Sequence, residues 1–568
     1  MPAPDLDRFT SRRSTVYGSQ GVVATSQPLA AEAGVELLRQ GGNAFDAAVA
    51  AAAALNVVEP TSTGLGGDVF ALYRTADGEV GALRSCGGAP AAATIDAVRE
   101  SLGDDDARMP EAGPHTVTVP GTARGWETTV EELGLLTLAD CLGPAIRYAT
   151  DGYPVSEVVA AQWEHGEELF EAENARDAYL FDGRAPEVGQ YVTLPLLGRT
   201  LERLGDEGAD LVYEGAVGEA IVDTVRSAGG FLSMDDLSGF EPEFVDPLST
   251  RYGGCEVYEL PPNNQGLVAL EALNVAREAG AREATGTERI HLLAEATKRA
   301  FHDGHRYITD PAFEEAPPLN SREWARTRAA DIGPEASNDV SFLPDTNAED
   351  ADTVLVCVAD AEGNVVSYIN SRFAGFGSGL VAADTGIALQ NRGASFSLDP
   401  THPNRLEGGR SRSTPSSRAC WTSPPTEETT GPPSGSWADS CSRRDTSRWS
   451  RTSLTATSRF SARSTNRGGA TARTGPSPSR NGWRAKRSSP AAATRSACFH
   501  RLCSAGHSSS AARARSSRER PSPERTAPSR RTKGESEAIG PGTRRRRTPF
   551  RVRLLGRRRG PSRRTAPD

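Results

Sequence analysis

The chain has 568 residues, including 64 Lys and Arg, 74 Asp and Glu and 8 Cys, and its formal net charge at pH 7 is −10. The charge is unevenly divided. Residues from Arg410 onward hold 36 of the basic but 9 of the acidic residues, so they carry +27 and the preceding 409 residues carry −37. The cysteines lack the regular spacing of a disulfide scaffold, and the longest apolar run, residues 47–58, is too short for a transmembrane helix.

The acidic part of the chain and its N-terminus together predict a location. Before Arg410 there is a single lysine, Lys298, and acidic, lysine-poor proteins suit a high-salt cytoplasm, so a halophilic source is predicted. The first 20 residues contain no apolar stretch typical of a signal peptide. We therefore expect a cytoplasmic protein without membrane contact.

Residues 22–60 predict a pair of helices. Ser26 is placed to cap the first helix, with Pro28 in its first turn. Asn43 is expected to cap the second, alanine-rich helix, and Asp46 lies where a negative charge favours a helix start.

The glycine-rich segment 64–67 admits two interpretations. As a phosphate-binding loop it lacks the Lys-Ser/Thr pair, and it precedes an apolar strand instead of opening a helix. A tight turn into a core strand is favoured, and residues 69–73 and 80–83 then form a hairpin around Asp77 and Gly78.

The middle of the chain is predicted to be mainly helical over residues 125–235, followed by strands over 245–260. Residues 288–303 predict an amphipathic helix. Its apolar face is expected to contain Ile290, Leu293, Ala294, Thr297 and Phe301.

The stretch 352–379, DTVLVCVADAEGNVVSYINSRFAGFGSG, predicts a buried β-hairpin. Residues 354–359 are apolar on both faces, residues 360–364 contain the turn, and residues 365–369 return as the second strand. Residues 334–352, which precede it, are rich in Asp, Glu, Asn and Pro and are typical of an acidic, solvated linker.

A solvated linker that runs into a buried strand beginning with Thr suits a self-cleaving enzyme with an N-terminal nucleophile. Cleavage of the Asp352–Thr353 bond would make Thr353 a chain terminus. Its α-amine, with a reference pKa of about 7.7–8.0, can then act as general base for its own hydroxyl. From the spacing alone, an ordinary core hairpin that happens to begin with Thr stays open.

Several segments, in one order, resemble the γ-glutamyltranspeptidase family, in its branch of γ-glutamyltransferase-like and cephalosporin-acylase-like proteins. The similarity covers roughly residues 15–409. It rests on PTSTGLGGDVFALY at 60–73, APAAAT at 89–94, VPGTARGW at 119–126, AGGFLSMDDLSGF at 228–240, ELPPNNQG at 259–266, LLAEATKRAFHDGHRYITDP at 292–311, the hairpin stretch, and GIALQNRGASFSLDPTHPNRLEGG at 386–409.

The resemblance implies an α/β (α+β) fold, the four-layer αββα sandwich of N-terminal-nucleophile hydrolases. Residues 1–352 would form the large-subunit region and residues 353–409 the start of the small subunit. The implied reaction is acyl transfer, in which Thr353 attacks a γ-glutamyl or similar amide and the acyl-enzyme passes to water or an amine acceptor. No cofactor and no metal are expected. The expected partners are the small-molecule amide and the two fragments of the same chain, with a homodimer left open.

The resemblance also assigns residues of the site. Ser371 matches a helper hydroxyl near the nucleophile, although a strand-end serine without a catalytic role fits equally well. The family's substrate-binding arginine falls on Cys86, or on Gly88 in the sister branch, and Arg84 is the candidate substitute.

Three further family positions carry different residues in this chain. An asparagine of the family aligns with Phe373, and a glutamine and an aspartate align with Arg392 and Ser395. Arg392 could bind a carboxylate, but no acid replaces the one that binds an α-amine, so the pocket resembles the acylase-like branch. The family's oxyanion glycines and glutamate-binding serines would lie beyond Arg410 and are not recognisable there.

The composition changes abruptly at Arg410. Residues 410–568 are rich in Arg, Ser, Thr and Pro without apolar periodicity, which predicts a disordered basic tail. The favoured hypothesis is a frameshift near Arg410 in a GC-rich gene, because the break falls inside a family segment. A catalytically inactive product is the alternative that follows. A third hypothesis, nucleic-acid binding through residues 544–547 and 557–559, rests on the tail alone and is disfavoured. Four residues resemble a zinc set and are interpreted as accidental: Cys498, His500, Cys503 and His507.

Overall fold

The computed structural model describes residues 16–104, 108–337 and 353–409, and the strand at residues 420–422. The chain divides into two units between Thr471 and Ala472, and every described residue belongs to the first unit. The predicted cleavage residue Asp352, most of the acidic linker and nearly all of the tail lie outside the described residues.

The described residues form helices and strands in a mixed order. The helices are α1 Pro28–Arg39, α2 Ala44–Val58, α3 Ile95–Leu102, α4 Thr122–Leu133, α5 Leu138–Asp151, α6 Glu157–Trp163, α7 Gly166–Leu169, α8 Glu173–Tyr179, α9 Pro195–Glu207, α10 Asp210–Tyr213, α11 Ala216–Ser227, α12 Met234–Ser238, α13 Gly266–Glu278, α14 Gly286–Tyr307 and α15 Arg322–Ala330. The strands are β1 Gly21–Ala24, β2 Asp68–Arg74, β3 Val80–Ser85, β4 Tyr153–Pro154, β5 Tyr191–Val192, β6 Glu243–Val245, β7 Leu248–Tyr252, β8 Cys255–Glu259, β9 Val354–Asp360, β10 Val365–Ser371, β11 Val381–Ala382, β12 Ile387–Ala388 and β13 Cys420–Thr422.

Two antiparallel sheets lie between two helical layers. The first sheet has the order β1-β9-β10-β2-β3-β6, and helices α1 and α2 pack on it. The second sheet has the order β13-β8-β7, and α13 covers it, with α14 and α15 behind. The two sheets meet in one apolar cluster, made of Phe70, Leu72, Ala82, Cys86, Leu260 and Ile369. This layering confirms the predicted α/β class and four-layer αββα sandwich.

Both predicted hairpins are confirmed, β2 with β3 and β9 with β10. In β9 the burial alternates: Val354, Val356 and Val358 are fully buried, whereas Leu355 and Cys357 on the opposite face are half-buried. The sequence predicts burial on both faces. The difference arises because the described part of the second sheet has three strands against six in the first, and so covers only part of the facing surface.

Helix α2 is the central buried helix. All its residues are buried, and its alanines allow it to contact β9 and β10 closely. The predicted cap is confirmed: Asn43 accepts hydrogen bonds from Phe45 N and Asp46 N, and the Asp46 carboxylate accepts one from Asn43 N. The predicted cap of α1 is wrong, because Ser26 Oγ instead donates to Glu59 Oε2 at 2.7 Å.

The predicted apolar face of α14 is right only in part, because Leu293 and Phe301 pack against the core but Ile290 and Ala294 are exposed. Ile290 is 65% exposed, whereas the buried face contains the carboxylates of Glu295 and Asp303. Each buried carboxylate has cationic partners, Lys298 and Arg299 for Glu295, and Arg328 for Asp303. The pattern of apolar residues cannot predict such a face. Acidic residues are buried only where cationic partners lie nearby in the fold, and the helix sequence does not show those partners.

The tail contributes one described element. Strand β13 pairs antiparallel with β8, so three residues of the segment predicted to be disordered form regular structure. None of the described helices combines the length and the apolar character needed to cross a bilayer.

A buried carboxyl pair joins the three helices of the second helical layer. The indole N–H of Trp324 in α15 donates to Glu271 Oε1 at 2.9 Å and to Asp303 Oδ2 at 3.0 Å. Arg328 Nη2 donates to Asp303 Oδ1 at 2.7 Å, and His302 Nδ1 lies 3.3 Å from the same oxygen. Burial, together with the hydrogen bond and charge of Asp303, raises the pKa of Glu271 to about 10. The pair therefore holds one proton at neutral pH.

This proton predicts a pH-dependent stability. The unfolded chain loses the Glu271 proton near the ordinary pKa of 4.5, whereas the folded protein keeps it to about 10. The contribution of this protonated carboxyl to stability is therefore fully present below pH 4.5 and is lost as the pH rises toward 10. Glu271→Gln removes this dependence, so we expect its melting temperature between pH 6 and 9 to fall less than that of the wild type, by a few °C.

The matched control is Glu278→Gln, an equivalent change on the same helix. Arg322 and Arg326 hold the pKa of Glu278 below its usual range, so this carboxylate stays charged throughout the tested interval. Its replacement should shift the whole melting curve without changing its slope with pH. Parallel pH profiles for the wild type and Glu271→Gln would contradict the shared proton.

Candidate active site

One cross-strand row of the first sheet brings the predicted nucleophile together with three polar side chains. Ser371 at the end of β10 pairs directly with Asp68 at the start of β2. Thr353 immediately precedes β9 and Cys86 immediately follows β3, so the same register extends the row to both. The row runs Thr353, Ser371, Asp68, Cys86, with neighbouring strands about 5 Å apart.

Thr353 and Ser371 are in direct contact. Their hydroxyl oxygens lie 3.0 Å apart, and either one can be the donor. Ser371 is fully buried, and its Oγ accepts a hydrogen bond from Phe373 N at 3.0 Å, which leaves its own proton free for Thr353. Phe373 has φ +83°, a conformation that costs a bulky residue of order 1–3 kcal/mol. The strained turn therefore helps to hold the Ser371 hydroxyl beside Thr353.

Asp68 and Arg392 form a fully buried ion pair next to these hydroxyls, with Arg392 Nε donating to Asp68 Oδ2. The other carboxylate oxygen accepts Gly121 N at 3.1 Å and Gln390 Nε2 at 3.2 Å. Burial raises the pKa of Asp68, while the guanidinium and these donors oppose the rise. Asp68 therefore contacts the guanidinium of Arg392 through its Nε edge.

The opposite edge of Arg392 has no hydrogen-bond partner among the described residues. Nη1 and Nη2 are buried and make no hydrogen bond to any described residue. The rings of Phe70 and Phe373 lie 5.6 and 5.7 Å from Cζ, so aromatic surfaces flank the guanidinium. Two parallel N–H donors in apolar surroundings match the geometry of a carboxylate.

Other residues assigned from the family resemblance lie in the same region with different contacts. Arg84 Nη1 donates to Pro262 O at 3.0 Å, and its Nη2 pairs with Glu243, so its guanidinium is occupied. Ser395 Oγ donates to Arg392 O at 3.3 Å at the end of a 3-10 turn. Burial raises the pKa of the Cys86 thiol well above its usual range, so this thiol is neutral.

Asp68 and Gln390 are site residues that the sequence interpretation overlooked. Asp68 follows the glycine turn and precedes an apolar strand, so the pattern predicts a core strand and no functional residue. A signal was present, because an acidic residue that opens an otherwise buried strand requires a partner. Among the described residues no group of three or more His, Cys, Asp or Glu is arranged to hold a metal.

The family model for gamma-glutamyltranspeptidase matches residues 30–419. The chain belongs to this family. The match extends ten residues beyond Gly409, so the family pattern ends slightly later than the sequence interpretation placed the break. Family membership makes the protein an enzyme, a γ-glutamyltransferase-like amidase of the N-terminal-nucleophile class.

Characterised relatives support the same assignment. The chain is 36% identical over 402 residues to the glutathione hydrolase-like YwrD proenzyme of Bacillus subtilis (strain 168), covering 69% of this chain and 74% of the relative. It is 34% identical over 408 residues to the oxamate amidohydrolase proenzyme of Klebsiella pneumoniae, covering 70% and 75%. A crystal structure of cephalosporin acylase from Bacillus halodurans superposes with a TM-score of 0.66 at 38% identity, covering 74% and 78%. These matches confirm the fold.

The ion pair predicts a large loss of stability when Arg392 alone is removed. Arg392→Met leaves the Asp68 carboxylate buried without its cation, so we expect the free energy of unfolding to fall by about 3–5 kcal/mol. In the double variant Asp68→Asn, Arg392→Met the loss should be smaller than the sum of the two single losses. Urea unfolding at pH 7 measures all three.

Arg405→Met is the surface control, because Arg405 pairs with Glu314 at 3.3 Å where both side chains are partly exposed. Its expected cost is about 0–1 kcal/mol. Additive losses in the double variant would contradict the buried pair.

Proposed function

We propose that this protein is an amide hydrolase or acyltransferase that cleaves its own chain before Thr353 and then uses Thr353 as its nucleophile. The carrying observation is the 3.0 Å contact between Thr353 Oγ1 and Ser371 Oγ at the first residue before a buried strand. The names of the relatives, which describe proenzymes, support processing into two fragments.

The proposed mechanism needs no base other than the new chain terminus. After cleavage, the neutral α-amine of Thr353 accepts the hydroxyl proton as Oγ1 attacks the amide carbonyl. The amine of the substrate leaves with that proton, and an ester to Thr353 remains. Water, or an acceptor amine, then attacks the ester and restores the hydroxyl. The hydrogen bond from Ser371 holds Thr353 Oγ1 in one orientation, which lowers the entropic cost of reaching the attacking geometry.

The proposed acyl donor carries a carboxylate at the end of its acyl group. The free Nη1 and Nη2 edge of Arg392 supports this choice, since a second anion there would meet two unpaired donors. The backbones of Thr353 and Asp68, the partner of Arg392, are two strands apart in the row, about 10 Å. We propose an acyl group of four or five carbons between Thr353 and Arg392. The Klebsiella relative is named for oxamate, also an amide that carries a carboxylate.

An α-amine on the acyl group is not favoured at this site. Asp68, the acid of the row, is bonded to Arg392, Gln390 and Gly121 and has no free face for an ammonium group. Phe373 presents an aromatic ring beside Arg392. We therefore propose a simple dicarboxylic monoamide as the preferred donor over a γ-glutamyl compound.

Self-cleavage is tested by intact mass and denaturing gels of the wild type and Thr353→Ala. We expect two fragments that meet at residues 352 and 353 in the wild type and one uncut chain in the variant, because the variant lacks the attacking hydroxyl. Thr25→Ala is the control. Thr25 Oγ1 donates to the backbone carbonyl of Leu355 in β9 at 2.9 Å, and loss of this bond leaves the Thr353 hydroxyl in place, so cleavage should persist.

An uncut wild-type chain would contradict the proposal and support the alternative of an inactive frameshifted product. Fragments that meet at a different bond would place the nucleophile elsewhere. Cleavage that persists in Thr353→Ala would indicate a contaminating protease.

Donor preference is tested with the p-nitroanilides of glutaric, pentanoic and γ-glutamic acids. In the wild type we expect kcat/KM to be highest for the glutaryl compound. Arg392→Lys keeps a cation beside Asp68 but lacks the forked edge, so the glutaryl-to-pentanoyl ratio of kcat/KM should fall about 10- to 100-fold. Release of p-nitroaniline measures each rate.

Arg84→Lys is the comparison, because Arg84 is the other arginine that the sequence nominated for the carboxylate. Its guanidinium is engaged by Pro262, Asn263 and Glu243, so the ratio should stay at the wild-type value. A fall in the ratio for Arg84→Lys, with none for Arg392→Lys, would move the carboxylate site to Arg84.

A further inference from the structure

A second arginine, Arg372, is buried, and no acidic residue in the described part of the chain pairs with it. It directly follows Ser371, and it is 1% exposed. Its side chain lies against the backbone of Gly64, where an added Cβ would come within 2.8 Å of Arg372 Cδ and 3.1 Å of Nε. The ring of Phe376 lies 5.5 Å from Cζ. The glycine at position 64 therefore makes room for the guanidinium.

Most donors of this guanidinium lack a partner. Nε and Nη2 are buried and make no hydrogen bond to a described residue, and no salt bridge in the described ranges includes Arg372. Its polar neighbour is the Tyr179 hydroxyl, which itself donates to Gly386 O at 2.7 Å. The groups without a partner among the described residues are thus three N–H groups of the guanidinium, one on Nε and two on Nη2.

The charge of Arg372 persists at neutral pH. Burial lowers its pKa to about 10 and Tyr179 opposes the fall, so the group remains a cation. A buried cation without an opposite charge is costly, and an aromatic ring compensates only part of that cost. A buried water could fill the hydrogen bonds, but it would leave the charge unbalanced. The buried positive charge of Arg392, by comparison, is compensated by the carboxylate of Asp68.

We propose that Arg372 Nε and Nη2 bind a small monovalent anion, with chloride as the occupant. The surroundings select for size, because the site lies inside the core between the Gly64 turn and the ring of Phe376. They select for charge, because the available groups are donors around a cation. This site is independent of the donor proposed for Arg392 and of the reaction of Thr353.

Occupancy of this site should affect the active-site geometry. Arg372 lies between Ser371, which contacts Thr353, and the strained residue Phe373. Its carbonyl accepts a hydrogen bond from Asn391 N at 3.4 Å, immediately before Arg392. An anion that holds the Arg372 side chain would therefore stiffen the backbone that carries both the helper hydroxyl and the guanidinium of the ion pair.

Chloride-dependent thermal stability tests the site without reference to activity. The melting temperature of the full chain is measured in sodium chloride and in sodium gluconate mixtures of constant ionic strength. A site half-filled at about 10 mM should raise the melting temperature of a chain of this length by about 2 °C between 10 and 300 mM chloride. Arg372→Met should remove this increment. Arg203→Met, which breaks an exposed pair with Glu207, should retain it.

A crystal of the wild type grown in bromide tests the anion site independently. This test does not depend on whether Arg372→Met folds. We expect an anomalous bromide peak at hydrogen-bonding distance from Arg372 Nε and Nη2. Equal melting temperatures in chloride and gluconate, or a chloride increment that survives Arg372→Met, would overturn the proposal. Density at this position that shows no anomalous bromide signal and is fitted by a water molecule would also overturn the proposal.

Discussion

The antiparallel register of β9, β10, β2 and β3 is the constraint on which the site depends. It aligns Thr353, Ser371, Asp68 and Cys86 although they come from distant parts of the chain. Because side chains of a strand alternate between faces, a shift of one residue in β9 would turn Thr353 away from Ser371. The fully buried valines of β9, packed against α2, oppose such a shift, so core packing positions the proposed nucleophile Thr353.

Three of the buried ionisable side chains, Arg392, Glu271 and Arg372, are compensated in different ways. Arg392 is paired with Asp68, which shares its other oxygen between a backbone amide and a side-chain amide. Glu271 keeps a proton between Trp324 and Asp303. Arg372 has neither a carboxylate nor a proton to lose at neutral pH, and the proposed anion completes the pattern.

Local signals in the sequence predicted local structure well. The glycine turn before β2, the β9–β10 hairpin and the Asn43 cap depend on residues a few positions apart, and all three are present in the structure. The face of α14 was mispredicted because Asp303 is buried by a partner in α15, which no periodicity on α14 can register. The same limit explains why Asp68 was overlooked and why Ser26 bonds Glu59 across the helix pair instead of capping α1.

The sequence by itself determined the family, the αββα class and the residue that begins the hairpin, because these follow from ordered segments and from short-range patterns. Tertiary structure alone decided which of the two nominated arginines keeps a free edge. Arg84 and Arg392 are equally cationic in sequence, but the first is occupied by a loop and a strand-edge glutamate, and the second is held by Asp68 with two donors left over. The physical reason is that a guanidinium's availability depends on partners brought near by folding, and these partners lie more than 150 residues away from Arg84 and more than 300 from Arg392.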